Sequence, residues 1–130
     1  MIVDASAAVD FLVNADPRGH WARELLASAE LHAPELLEFE VTSALRGLVR
    51  ARRLRPDRAR GLLQDLAELD LVRYPPHGLL ERIWELRDRL TAYDAAYVAL
   101  AEALDAPLVT TDDVLARLRG HRAEILAFPG

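Results

Sequence analysis

The chain has 130 residues, a formal net charge of −5 and no cysteine, which excludes disulfide bonds, thiolate zinc sites and a cysteine nucleophile. This length is enough to bury a real hydrophobic core, and we expect a single domain over residues 1–130. Because the sequence has neither an 18-residue apolar run nor a basic N-terminal stretch followed by a long apolar one, we expect a cytoplasmic protein without a membrane-spanning helix.

Short apolar segments alternate with amphipathic ones along the whole sequence. In chain order the pattern predicts a strand at 2–3, a helix at 5–12, a helix from 16, a strand at 31–33 and a helix at 35–53. Further along it predicts a helix after 56, a strand at 70–74, a helix marked by Leu79, Leu80, Ile83, Trp84 and Leu90, an apolar helix from 94, a strand at 108–110, a helix at 113–118 and a strand at 125–128. This alternation is typical of an α/β fold in which helices cover both faces of a parallel sheet.

Four acidic side chains stand beside apolar runs that have strand or buried-helix character: Asp4, Glu40, Asp94 and Asp112. Two carboxylates about 4 Å apart repel by roughly 4 kcal/mol at an effective dielectric constant of about 20, so we expect four to gather only around a cation. Asp4 and Asp112 each follow the carboxyl end of a predicted strand, which is where open α/β sheets bind ligands. The pattern therefore predicts a metal site at this edge of the sheet.

Each of these acids also has a simpler interpretation. The three aspartates precede predicted helices and would each stabilise one by about 1 kcal/mol as an N-cap, while Glu40 would be an exposed glutamate. We interpret Ser6 and Thr110 as capping hydroxyls, with the orientation of a carboxylate or a metal-bound water as the alternative, and Asp113 as a first-turn acid or an auxiliary ligand. Because caps need no shared location, the position of all four acids at one cleft favours the metal site.

The basic residues are unevenly distributed. All 16 are arginine, and seven of them lie between Arg46 and Arg60, where Asp57 is the only acid, so this stretch carries a charge of +6. Such a local basic face on an acidic protein suggests a polyanionic partner. The alternative is a solvated helix end in a chain that uses no lysine, and both interpretations stay open.

Four blocks of this sequence resemble the PIN-domain ribonucleases, specifically the VapC-type toxins of bacterial toxin–antitoxin systems. The blocks are MIVDASA at 1–7, PELLEFEVTSALR at 34–46, AYDAAYVALA at 92–101 and LVTTD at 108–112. The resemblance implies a five-stranded parallel sheet in the order 3-2-1-4-5. It also implies that the four acids of the metal site are the catalytic, metal-binding residues: Asp4, Glu40, Asp94 and Asp112. The doubled acid at 112 and 113 departs from the family pattern.

The ligand type predicts the chemistry. Oxygen ligands select Mg²⁺ or Mn²⁺, and no two of the histidines have the spacing of a zinc site: His20, His32, His77 and His121. Two ions about 3.5–4 Å apart would activate a water and stabilise the leaving oxygen of a phosphodiester. The resemblance implies RNA hydrolysis that leaves a 5′-phosphate and a 3′-hydroxyl. We expect a structured or single-stranded RNA, such as a tRNA or rRNA loop, with the arginines holding its phosphates.

A protein partner is also implied by the resemblance to VapC toxins. It would be a small VapB-like antitoxin whose helix lies in an apolar groove between the helices predicted at 5–12 and 35–53, in a homodimer or a larger assembly. Other enzyme classes are excluded, because a P-loop needs a lysine, no Gly-x-Ser-x-Gly occurs, and Ser6 stands where a haloacid-type phosphatase needs an aspartate. The alternative to the toxin is a catalytically inert PIN-like module that binds RNA or protein.

Overall fold

The computed structural model describes residues 1–130 and contains one parallel sheet of five strands. The elements in chain order are β1 (Ile2–Val3), α1 (Ala5–Val13), α2 (Pro17–Leu26), β2 (Leu31–Pro34), α3 (Leu37–Arg50), α4 (Pro56–Glu68), β3 (Leu71–Tyr74), a 3₁₀ turn (His77–Leu79), α5 (Leu80–Glu85), α6 (Ala92–Leu104), β4 (Leu108–Thr110), α7 (Asp113–Ala116) and β5 (Ile125–Ala127). The strand order is β3-β2-β1-β4-β5. The predicted α/β fold and its strand order are therefore confirmed.

The first strand of the chain lies at the centre of the sheet. It pairs on one side with β2, where Ile2 is opposite His32, and on the other with β4, where Ile2 is opposite Leu108 and Val3 is opposite Val109. The strand order reverses here, because the chain runs outward from β1 to β3 on one side and later returns to β4 and β5 on the other. This reversal creates the crevice in which ligands of open α/β sheets bind.

Helix α6 forms the most buried layer against the sheet. All residues from Ala95 to Ala101 are buried, and the helix packs against β1 and β2. Its many alanines let the helix backbone approach the strands closely, while Tyr97, Val98 and Leu100 fill the remaining space. No helix of the protein is long and apolar enough to cross a membrane.

Local signals explain where the helices begin and end. Asp16 caps α2 by accepting from the Gly19 N–H at 3.1 Å, and Pro17 occupies the first helical position. Helix α3 ends at Arg50, three residues before the predicted end at Arg53, because Arg52 has a left-handed φ of 57° that cannot continue a right-handed helix.

The predicted helix around 79–90 is shorter than expected and faces differently. Helix α5 ends at Glu85, and Leu80 and Trp84 are 55% and 67% exposed. The inward face is instead formed by Leu79, Ile83 and Leu86, whose i, i+4, i+7 spacing puts Leu80 and Trp84 about 100° further round the helix. The predicted helix at 113–118 likewise ends early, at Ala116.

Candidate active site

Asp4 and Asp112 lie at the same edge of the sheet because their strands are parallel neighbours. Asp4 follows β1 and caps α1, and Asp112 follows β4 and caps α7. The Asp4 backbone N–H donates to the Val109 carbonyl at 3.2 Å, which continues the β1–β4 ladder up to the site. Both aspartates thus act as N-caps, as the simpler interpretation predicted, but their position at the reversal of the strand order gives them a shared location as well.

The Asp4 carboxylate is 5% exposed and surrounded by donors. Its Oδ1 accepts from the Ala7 N–H at 2.9 Å and from the Ser6 hydroxyl at 2.7 Å, and its Oδ2 accepts from the Thr110 hydroxyl. Burial raises the pKa of Asp4 from its ordinary 3.8 to about 6, and the Asp112 charge adds to this rise, although the three hydrogen bonds oppose it. Its donors are all neutral, so hydrogen bonding leaves its charge uncompensated.

Ser6 and Thr110 orient Asp4 rather than acting only as helix caps. The Ser6 Oγ accepts from the Thr111 N–H at 3.1 Å, and the Thr110 Oγ1 accepts from the Asp112 N–H at 2.9 Å. Each hydroxyl oxygen accepts a hydrogen bond from a backbone N–H of the segment after β4. Its own proton is therefore free to donate to the Asp4 carboxylate. The interpretation as simple capping hydroxyls was wrong, and the alternative of a carboxylate-orienting role describes the geometry.

Glu40 and Asp94 bring two further carboxylates from α3 and α6. The Glu40 Oε1 accepts from the Tyr97 hydroxyl at 2.6 Å. Burial raises the pKa of Glu40, with a smaller contribution from the Asp94 charge, and burial and the Asp112 charge raise the pKa of Asp94. Asp94 is the third residue of α6, and the helix is capped by Thr91, so the N-cap interpretation of Asp94 was wrong.

Sequence reasoning missed two supports of the site. Tyr97 is 1% exposed, and burial together with its bond to Glu40 raises the pKa of its hydroxyl, which keeps it a proton donor. Its only sequence signal is its place three residues after Asp94, on the same helix face. The second support is Asp10, whose Oδ2 accepts from the Thr111 hydroxyl at 2.6 Å and ties α1 to the segment after β4.

The four acids form an electrostatically coupled edge without a basic side chain. Asp112 raises the pKa of both Asp4 and Asp94, and Asp94 raises the pKa of Glu40. None of the four takes part in an ion pair, since those of the protein lie elsewhere. In this geometry no three histidine or carboxylate side chains stand close enough to hold one ion together. The four acids thus influence one another in pairs rather than as one cluster. Asp113, the residue after Asp112, is exposed.

This donor set fits Mg²⁺ or Mn²⁺ in its chemistry. The available ligands are carboxylate and hydroxyl oxygens, which hard cations prefer. Mg²⁺ usually keeps several waters and binds through one or two carboxylates, so pairs of acids are compatible with such an ion. The uncompensated charge and raised pKa of Asp4 also fit, because a cation would remove the energetic cost of ionising it.

Two surfaces outside the acidic edge bear on partners. Helices α1 and α3, which were expected to border an open groove, instead close over a space of about 10 Å³ that also touches the sheet. The open groove lies between α3 and α4, with a volume of about 340 Å³, and we call it the arginine groove. Its floor contains Leu45 and Leu63, and its walls carry three basic residues of the arginine-rich stretch: Arg46, Arg50 and Arg60.

Comparisons with known proteins agree with this geometry. The family model of the PIN domain matches residues 1–121, and a single domain reaching to residue 130 stays a prediction. Ribonuclease VapC9 from Mycobacterium tuberculosis is 49% identical over 112 residues, which cover 86% of this chain and 85% of the relative. This level of identity over most of both chains extends well beyond the acidic blocks.

Solved structures share the fold at lower identity. VapC20 from Mycobacterium tuberculosis, described as a Sarcin-Ricin loop cleaving toxin, has a TM-score of 0.69 at 18% identity and covers 88% of this chain and 92% of its own. A toxin–antitoxin complex from Klebsiella pneumoniae has a TM-score of 0.61 at 17% identity and covers 96% and 94%. Together with the family model and the close relative, these matches establish that the chain belongs to the PIN-domain family, within its VapC ribonucleases.

Proposed function

We propose that this VapC ribonuclease is a toxin that cleaves RNA internally with Mg²⁺ or Mn²⁺ held by Asp4, Glu40, Asp94 and Asp112. The observation that carries the proposal is the coupled acidic edge, in which burial and mutual repulsion raise three carboxylate pKa values and no basic side chain compensates them. Ionising these acids side by side is unfavourable without a cation, most of all at the buried Asp4.

The residues around the acids have separate tasks in this mechanism. A divalent ion held by the four acids would supply an activated water and would stabilise the leaving oxygen of the phosphodiester. Ser6 and Thr110 fix the Asp4 carboxylate from both of its oxygens. The Tyr97 hydroxyl fixes Glu40 by a hydrogen bond. Loss of such a bond to a metal-binding side chain typically lowers metal affinity or activity by about 10- to 100-fold.

The arginine groove is suited to the RNA backbone. Arg46 and Arg50 follow Glu40 on α3 by six and ten residues, which places them roughly 9 and 15 Å along the helix at 1.5 Å per residue. Phosphates on one side of the cut would therefore meet arginines, while the acids meet the cut itself. That VapC20 is a Sarcin-Ricin loop cleaving toxin supports a loop of structured RNA, such as rRNA or tRNA, as substrate. A cytoplasmic location follows from such a substrate.

We also propose a small antitoxin as the protein partner, on the support of the toxin–antitoxin complex among the fold neighbours. Its helix would lie in the arginine groove, and a basic side chain would reach the acids in place of the ion, in a homodimer or a larger assembly. Inhibition should then weaken as the concentration of Mg²⁺ or Mn²⁺ rises, because the metal ion and the basic side chain of the antitoxin compete for the same carboxylates. Co-expression with the product of the adjacent upstream gene, followed by pull-down across a metal series, measures this.

The experiment that tests the nuclease compares two charge-removing variants on one helix. Asp94→Asn removes a proposed ligand at the start of α6, and Asp105→Asn removes an exposed carboxylate at its other end, where asparagine also tolerates the left-handed φ of 48°. Asp94→Asn should abolish cleavage of labelled RNA, Asp105→Asn should leave it intact, and EDTA should stop the wild type. Cleavage by Asp94→Asn at the wild-type rate would favour the inert RNA- or protein-binding module instead.

A further inference from the structure

An apolar cavity of about 220 Å³ lies next to the acidic edge. It is formed by the start of α3 and by the segment after β3, which are tied together where the Glu35 N–H donates to the Tyr74 carbonyl at 2.9 Å. Two lining residues are chain neighbours of the site: Phe39 directly precedes Glu40, and Ala96 directly precedes Tyr97. The wall of this cavity is therefore one residue away from Glu40 and from the tyrosine that supports it.

The walls of the cavity exclude a phosphate and suit a flat, uncharged ring. No arginine or histidine lines it, and its walls include Leu36, Tyr74, Pro76 and Leu79. Phe39 stands at the wall with 77% of its surface exposed. An apolar cavity of about 150 Å³ holds benzene, so about 220 Å³ leaves room for one larger aromatic ring.

We propose that this cavity is a base pocket, which takes one unpaired nucleobase next to the scissile phosphate and stacks it on Phe39. The inference rests on the proposed nuclease function and adds a specificity element to it. Proteins that read single-stranded RNA stack splayed bases on aromatic side chains, as the exposed Phe39 ring permits. The base pocket takes the base while the arginine groove takes the phosphates, so the two surfaces divide the substrate by charge.

Glu35, an exposed acidic residue, also lines the pocket and supplies a polar criterion. A carboxylate accepts hydrogen bonds from the exocyclic amino groups of cytosine, adenine or guanine, whereas uracil offers only its N3–H, flanked by two carbonyl oxygens that the carboxylate repels. The pocket should therefore disfavour uracil at this position. A negatively charged wall also argues against an acidic peptide as its occupant, since the two charges would repel.

The test starts from cleavage of a single-stranded RNA of mixed sequence, with the new ends mapped by sequencing. Wild-type protein should show a base preference at one position beside the cut, and Glu35→Gln should weaken the selection against uracil there. Phe39→Ala should flatten the preference and lower kcat/KM by roughly 5- to 150-fold, the range for losing one base–aromatic stack. Phe39→Tyr should restore both, and Trp84→Ala, which removes a 67% exposed aromatic ring outside the pocket, should change neither.

A second arm replaces the preferred nucleotide by an abasic one. If the base stacks on Phe39, the abasic probe should lower wild-type kcat/KM by the same factor as Phe39→Ala, with no further loss when the two changes are combined. Factors that multiply fully, or an unchanged preference in Phe39→Ala, would overturn the base pocket. A variant that cleaves normally but no longer binds the co-expressed antitoxin would assign the pocket to a protein side chain instead.

Failure of the nuclease proposal is distinguishable from failure of the base pocket. If the wild type cuts no RNA, fluorescence anisotropy of labelled single-stranded RNA replaces kcat/KM as the readout with the same variants and the same abasic probe. A loss of affinity shared by Phe39→Ala and the abasic probe supports the base pocket even then. Equal binding of intact and abasic RNA by the wild type refutes it.

Discussion

The buried Asp4 carboxylate should make the metal-free protein less stable at neutral pH than in mild acid. Burial raises the pKa of Asp4 from 3.8 in the unfolded chain to about 6 in the folded one. Between these values the folded state binds more protons than the unfolded state, so the free energy of unfolding falls as pH rises, and the loss is complete above the folded pKa. At about 1.4 kcal/mol per pKa unit, this loss is roughly 3 kcal/mol.

The variant Asp4→Asn isolates this contribution because its side chain is neutral at every pH. Urea unfolding in EDTA between about pH 4 and pH 7 gives the free energy of unfolding of both proteins. Replacing one carboxylate oxygen by an amide nitrogen adds a constant offset, but the difference between variant and wild type should shift by roughly 2.4 kcal/mol in favour of the variant from pH 4 to pH 7, since unfolded Asp4 is already more than half ionised at pH 4. Parallel pH curves for the two proteins would refute an uncompensated buried charge at Asp4.

Three further outcomes are expected. Millimolar Mn²⁺ should raise the thermal midpoint of the wild type more than that of Asp94→Asn, since an ion that binds only the folded state stabilises it; equal shifts would argue against a shared site. Tyr97→Phe removes the donor to Glu40, so kcat/KM should fall by about 10-fold. The acidic limb of its pH profile should also move to higher pH, because the Tyr97 bond lowers the pKa of Glu40 in the wild type and its loss lets that pKa rise. Glu102→Gln should cost about 2 kcal/mol in urea unfolding at pH 7, because Glu102 accepts at 2.7 and 3.1 Å from Arg82. This bond lowers the pKa of Glu102, so the loss should shrink as pH falls through that pKa.

The layered fold could be predicted because strands buried on both faces are short apolar runs with few alternatives. Ile2–Val3 and Leu108–Thr110 were predicted with their observed bounds, whereas the strand order came from the family resemblance. The buried face of α5 could not be predicted, because its consecutive apolar residues allow more than one such face and only packing selects between them. Trp84 is exposed for this reason.

The acids of the site were visible in the sequence, whereas their supports were not. Each acid stands next to an apolar run, which is a local signal. The partner of Tyr97 is 57 residues away and that of Thr110 is 106 residues away, so neither hydrogen bond has a local signature. The arginine groove was equally hidden, because the sequence gives the basic stretch but not which pair of helices stays open around it.

The central position of β1 affects when the enzyme becomes active during its synthesis. Chains emerge from the ribosome amino end first and fold as they emerge. Asp4 then has Ser6 and Ala7 beside it at once, but β4, which supplies Thr110 and leads to Asp112, appears only near the end of translation. The acidic edge is therefore incomplete on a nascent chain until β4 and Asp112 have emerged and packed beside β1.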